Sequence, residues 1–220
     1  MKGTAGAVFS LAAEHPPVRG CTISDCISGG ANELTVFSLA RHTDISAELY
    51  PCHKLLLCLE GGTEVRTDSG TLGQLPPGGC MLTPADIPVG TRAEEDTVYT
   101  EILIRRNDTM NEAINPGEVF RLAELVPVQA GRIVNMDVAH NDTMKLAVMA
   151  FDAGTGLSEH AAPGDALIFA LDGEGIIIYE GKEYPIRAGE NFRFAKGGMH
   201  AVRAEKPFKM ALFLVLDSAG

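Results

Sequence analysis

Along this chain, apolar and polar residues alternate over short runs. Gly, Pro and Asp cut the runs at a spacing of about ten residues, and helical periodicity is scarce. In the first half the runs cover residues 34–39, 54–59, 63–67, 80–83 and 97–104. In the second half they cover residues 145–151, 166–171, 175–179, 183–186, 191–194 and 208–216. Each reads as a β-strand. Glu180-Gly181 joins two runs as a two-residue hairpin loop does, with glycine free to take positive φ, and Asp68-Ser69-Gly70 plays that part in the first half. Residues 120–124 read as a short helix or a strand, because their pattern is too short to separate the two. Strands this short and numerous predict an all-β fold, an antiparallel sandwich or barrel. Closing the sheet into a jelly roll limits its exposed edges.

The pattern occurs twice. Val8-Phe9 with Leu11-Ala12 returns as Val119-Phe120 with Leu122-Ala123, and Pro17-Val18 returns as Pro127-Val128. Leu34 and Val36 return as Leu146 and Val148, and Ile45-Ser46 returns as Leu157-Ser158. Leu59-Glu60-Gly61 returns as Leu171-Asp172-Gly173. The offset stays between about 110 and 112 residues, too long for a solenoid repeat and equal to one small domain. The expected organisation is a tandem duplication, with domains at 1–110 and 111–220 and a polar connector over 105–118.

Composition narrows the function classes. A formal net charge of -11 lacks the basic footprint of a nucleic-acid binder and disfavours an anionic membrane surface. No apolar run reaches the ~18 residues of a membrane span. Met1-Lys2 and the alanines after it faintly suggest a signal peptide, but residues 8–12 have a counterpart in mid-chain, so they read as structure. A cytoplasmic protein is expected. All five cysteines, Cys21, Cys26, Cys52, Cys58 and Cys80, lie in the first copy. An odd number argues against a disulfide framework, and the gaps are wider than structural zinc sites use.

Two stretches of the second copy carry candidate chemistry. One runs from Gly156 through Glu159, His160, Ala162, Asp165 and Ala166 to Gly173; the other runs from Gly189 through Ala195 and Gly197 to His200. Together they resemble the paired motifs of the cupin superfamily. The resemblance implies two tandem double-stranded β-helix barrels (a bicupin), usually with three His and one carboxylate holding a divalent transition metal. His160 and His200 stand at two of those ligand positions, whereas Ala162 and Ala166 replace the other two. Asp165 or Glu159 is the candidate third ligand, although both are off phase for strand alternation. The resemblance implies one Fe, Mn, Ni or Zn at most in the C-terminal barrel. Ala162, Ala166, Ile168, Phe192 and Phe194 are the expected walls of a ligand pocket, the small alanines leaving room for a molecule in place of a metal.

The first copy serves as an internal control. Glu48 falls on His160, Tyr50 on Ala162, Lys54 on Ala166 and Val89 on His200, so no metal is expected there. Glu48, Tyr50 and Lys54 would line a polar pocket, or Glu48 and Lys54 would pair as an ionic substitute for a metal; the copy is otherwise read as scaffold. His15, His42 and His140 read as loop residues. The resulting expectation is a small-molecule-binding bicupin, monomeric or homodimeric, with its site at His160 and His200. The alternatives are a metal-dependent enzyme of dioxygenase, isomerase or decarboxylase type acting on a small polar metabolite, and a structural or regulatory module.

Overall fold

A computed structural model describes residues 1–216. It divides into two compact units, neither of them an uninterrupted stretch of chain. One unit contains Met1–Lys2, Leu11–Asp108 and Glu112–Arg121; the other contains Gly3–Ser10, Thr109–Asn111 and the chain from Leu122 onward.

In the N-terminal unit a six-stranded sheet runs in the order Val119–Phe120, Cys80–Leu82, His53–Glu60, Thr97–Ile104, Leu34–Leu39, Thr22–Ser28. A four-stranded sheet runs in the order Asp44–Glu48, Val89–Ala93, Thr63–Thr67, Gly70–Leu75. All pairings are antiparallel. Leu39, Leu56, Cys58, Val65, Leu75, Met81, Ala93 and Tyr99 form a buried cluster. Every strand that places one of them also carries polar residues at alternate positions or is buried on both faces, as a closed jelly roll requires.

The C-terminal unit repeats this plan. Val8–Phe9, Asn191–Phe194, Asp165–Tyr179, Phe208–Val215, Met144–Phe151, Ile133–His140 and Thr109–Met110 form one path. Gly156–Ala161, Met199–Arg203, the far half of Asp165–Tyr179 and Lys182–Arg187 form the second layer. The two runs expected at 166–171 and 175–179 are therefore one continuous strand that serves both layers. Residues 120–124 resolve into the end of the strand Val119–Phe120 and a 3-10 turn, Leu122–Glu124.

The repeated Val-Phe pair has a specific use. Val8–Phe9 pairs with Asn191–Phe194 in the C-terminal unit, and Val119–Phe120 pairs with Cys80–Leu82 in the N-terminal unit. Each copy thus gives its first strand to the other unit, while the Leu-Ala that follows stays with its own: Leu11 and Leu122 are both buried. The repeated Leu-acid-Gly tripeptide is equally explicable. Gly61 and Gly173 both have φ +72, and a Cβ on either would run into a backbone carbonyl, that of Asp96 or of Pro207. The strand pairing shifts register beside both, which makes this a shared β-bulge that bends the strand between layers. At the hairpin, Tyr179 pairs with Lys182, and Glu180 and Gly181 take φ 49 and 73, as a type I′ turn demands.

Candidate functional site

The second-copy motifs form a short two-stranded segment. Gly156–Ala161 pairs with Met199–Arg203, and His160 stands directly opposite His200. A register shift between Leu157 and His160 makes this possible. Such a bulge re-aims side chains, which is why strict alternation fails to predict their phase here. The first copy has the same irregularity between Ile45 and Glu48, with Glu48 opposite Val89. The substitution of Glu48 for His160 and Val89 for His200, inferred from sequence, is therefore a structural equivalence.

The two imidazole rings lie 4.2 Å apart between centroids, tilted by 52°. His160 is exposed, and His200 is 8% exposed. His200 also stacks on Phe194 at 4.0 Å. His160 Nδ1 meets the Ser158 carbonyl at 2.8 Å, and His200 Nδ1 meets the Gly198 carbonyl at 3.2 Å. A carbonyl only accepts, so both Nδ1 atoms carry the proton and both Nε2 atoms are acceptors in the neutral rings. Neither Nε2 has a protein partner among the described residues. Burial holds His200 below the ordinary imidazole value, opposed by its bond to the Gly198 carbonyl and reinforced by the neighbouring His160. The site thus places two Nε2 atoms that, in the neutral rings, offer two lone pairs.

Asp165 and Glu159 do not complete a metal set. Asp165 faces Arg193 Nη2 at 3.2 Å and accepts the Lys196 backbone N–H at 3.1 Å. Burial opposes ionisation of this carboxyl, but Lys196 and Arg193 prevail and lower its pKa. Glu159 is exposed. Among the described residues, no three His, Cys, Asp or Glu side chains group as a metal site. Functional transition-metal sites use three or more protein ligands, so two imidazoles with no carboxylate do not fit a resident ion.

Ala162, Ala166, Ile168, Phe192 and Phe194 are all buried in one cluster behind the histidines. Tyr179 belongs to it too and stacks on Phe194 at 5.7 Å. The sequence reading missed Tyr179, which lies opposite His200 in the sheet. Its hydroxyl accepts the Ala195 N–H at 3.4 Å, a bond that a proline at Ala195 would forbid. The unusual alanine in the motif was the available signal.

In the N-terminal unit, Glu48, Tyr50 and Lys54 do come together, but Lys54 pairs with Glu101 at 3.0 Å and not with Glu48. Glu48 instead accepts the Tyr50 hydroxyl at 2.7 Å. Glu101 was also missed, although an acidic residue inside an apolar eight-residue strand marks it. His15 lies in the bend after the helix Leu11–Glu14, half-buried against Leu11 O and Asp25, whereas His140 is not a loop residue but ends a strand. His42, at φ 62, faces Glu94 in a turn.

The Cupin domain family matches residues 147–216, a span that includes both histidines. That match shows a cupin domain over residues 147–216, about a third of the chain. A search of curated proteins gave no significant match. Among solved structures, a cupin 2 conserved barrel domain protein from Leptotrichia buccalis is 27% identical, with TM-score 0.85, over 97% of this chain and 98% of that one. Salicylate 1,2-dioxygenase from Pseudaminobacter salicylatoxidans shares the fold at 12% identity and TM-score 0.61, over 84% of this chain and 70% of that one. Protein Ylba from E. coli shares it at 13% identity and TM-score 0.58, over 88% and 82% of the respective chains. The likeness to the Leptotrichia buccalis barrel protein over nearly the whole chain is consistent with two antiparallel barrels. Among the described residues no helix is long and apolar enough to cross a membrane.

Proposed function

We propose that this cupin binds a small molecule at the His160–His200 pair of its C-terminal barrel without a resident metal. The observation that carries the reading is the fixed tautomer of both rings: two carbonyls hold the Nδ1 protons and leave two Nε2 acceptors side by side. Such a pair takes a hydroxyl or amine donor from a ligand. Phe194, stacked under His200, supplies a rigid apolar floor. The working form in this reading is a cytoplasmic monomer or homodimer with a small-molecule partner, acting on neither nucleic acid nor membrane.

A metal-dependent enzyme of dioxygenase, isomerase or decarboxylase type is the competing reading, favoured by the same two open Nε2 atoms. The donor set tells against it, and the dioxygenase likeness reports fold alone. Histidine-ring 15N NMR separates the two. Titration with phenol and with glycerol, in the presence of chelator, is expected to shift the Nε2 resonances of His160 and His200 saturably and to leave His42 unmoved. Ring shifts that appear only when divalent cation is added would contradict the proposal.

A further inference from the structure

The ligand positions that the N-terminal barrel lost are occupied by a second, differently built polar site. Its lumen opens in a shallow concavity in which Glu48, Lys54, Thr83, Thr91 and Glu101 meet an apolar wall of Ile45, Leu56 and Val89. The buried part is an ion pair. Lys54 and Glu101 lie 3.0 Å apart with side chains only 16% and 12% exposed. Lys54 Nζ also sits 3.8 Å from the centre of the Tyr50 ring. Tyr50 is fixed in turn by its hydrogen bond to Glu48, and that bond, with burial, pushes its hydroxyl up to about 12. Below the pair, the Thr91 and Tyr99 hydroxyls bond to each other at 2.9 Å, and Thr83 Oγ1 accepts the Lys54 N–H at 2.9 Å.

This arrangement is a poor stability device. A buried ion pair contributes little compared with packed apolar residues, and the C-terminal barrel puts Ala166 at the position of Lys54 and Leu212 at that of Glu101. Its opening onto a concavity is what a binding site provides. The charges select the ligand class. Two carboxylates against one ammonium repel an anion, and burial that raises the Glu101 pKa removes no more than that one excess charge. The Lys54 ammonium, paired with Glu101, already occupies the place a cation would take beside the carboxylates. A neutral molecule bearing several hydroxyls meets neither penalty: it donates to the carboxylates, accepts from Lys54 and lays its C–H face on Leu56 and Val89. We propose that the N-terminal barrel is a binding site for a small neutral polyhydroxylated molecule of the sugar or sugar-alcohol class, held by Lys54, Glu101 and Glu48, with Tyr50 positioning Glu48 and Lys54.

The test is 1H–15N NMR of the intact protein titrated with xylitol, with anionic D-xylonate and with cationic D-glucamine. Xylitol is expected to shift the amides of Leu56, Thr83 and Thr91 saturably, with both charged probes weaker. Tyr50→Phe and Glu48→Gln alter partly or fully exposed side chains and keep the fold; each should weaken xylitol by roughly fivefold, the scale of one hydrogen bond. Lys54→Met/Glu101→Leu removes both charges together, so neither is left buried alone, and should abolish the shifts while thermal melting shows the protein folded. Absence of saturable xylitol shifts at these amides overturns the proposal. So do tighter binding of xylonate, undiminished affinity in the variants, and shifts confined to Ala162 and His200 of the other barrel.

Discussion

Replacing Phe194 by alanine tests the C-terminal site and its foundation together. Phe194 is 1% exposed and touches three rings: His200 at 4.0 Å, Phe192 at 5.3 Å and Tyr179 at 5.7 Å between centroids. Truncation removes the transfer free energy of a benzyl group and leaves a cavity, a cost of about 3–5 kcal/mol for buried Phe→Ala. At roughly 3–6 °C per kcal/mol for a unit of this size, its calorimetric melting temperature should fall by roughly 9–30 °C. A second consequence is specific to the site. Burial is the main reason His200 titrates low, so a cavity that admits water beside the ring should raise its pKa toward the ordinary value of about 6.5. Phe194→Leu keeps most of the volume and should cost only about 1 kcal/mol, with a smaller change in His200. Calorimetry gives the first quantity and an NMR pH titration of the His200 ring gives the second. A loss of less than roughly 5 °C, below the least that a rigid cavity permits, or a Phe194→Ala variant in which His200 titrates as in wild type, would refute the reasoning.

Three further outcomes follow from the fold. Because the folded His200 pKa is depressed, the unfolded chain takes up its proton first as pH falls; the stabilisation is complete above about pH 6.5 and is lost as pH drops from there toward the folded value. Urea midpoints of wild type should therefore decline from pH 7 to 5 more steeply than those of His200→Gln, and equal slopes would count against the assignment. Gly61→Ala and Gly173→Ala should each destabilise by about 2 kcal/mol or more, since each combines positive φ with a blocked Cβ; urea unfolding that showed one of them neutral would break the equivalence of the two bulges. Residues 1–110 expressed alone lack Val119–Phe120 and leave Cys80–Leu82 as an unpaired edge, so they should be less soluble and melt lower than residues 1–121, as light scattering and calorimetry would show.

Much of the fold is legible because the strands are short β-rich runs between Gly, Pro and Asp breaks: Leu34–Leu39, Thr63–Thr67, Thr97–Ile104 and Asn191–Phe194 keep the limits that their sequence pattern sets. Thr22–Ser28, Gly70–Leu75 and Ile133–His140 escaped notice, as did Asp44–Glu48, Gly156–Ala161, Val89–Ala93 and Met199–Arg203, which carry ligand positions. Their polar residues and bulges erase the period-two signal at the point where side chains are re-aimed into the lumen. The pairing of His160 with His200 was readable from the motifs. The tautomers were not, because they depend on the carbonyls of Ser158 and Gly198. Lys54 was readable as a replacement, but its partner was not. Glu101 lies far along the chain and reaches Lys54 only because Thr97–Ile104 pairs with His53–Glu60 in that register. The exchange of first strands was equally hidden, since identical Val-Phe pairs fit either barrel.

The central claim is that the imidazole pair of the C-terminal barrel works without a resident metal. Elemental analysis of untagged protein, purified without chelator and set beside His160→Ala/His200→Ala, tests it most directly. The account predicts Fe, Mn, Ni and Zn well below one per chain, with no difference between the two proteins. Near-stoichiometric metal in wild type that vanishes in the double variant would contradict it.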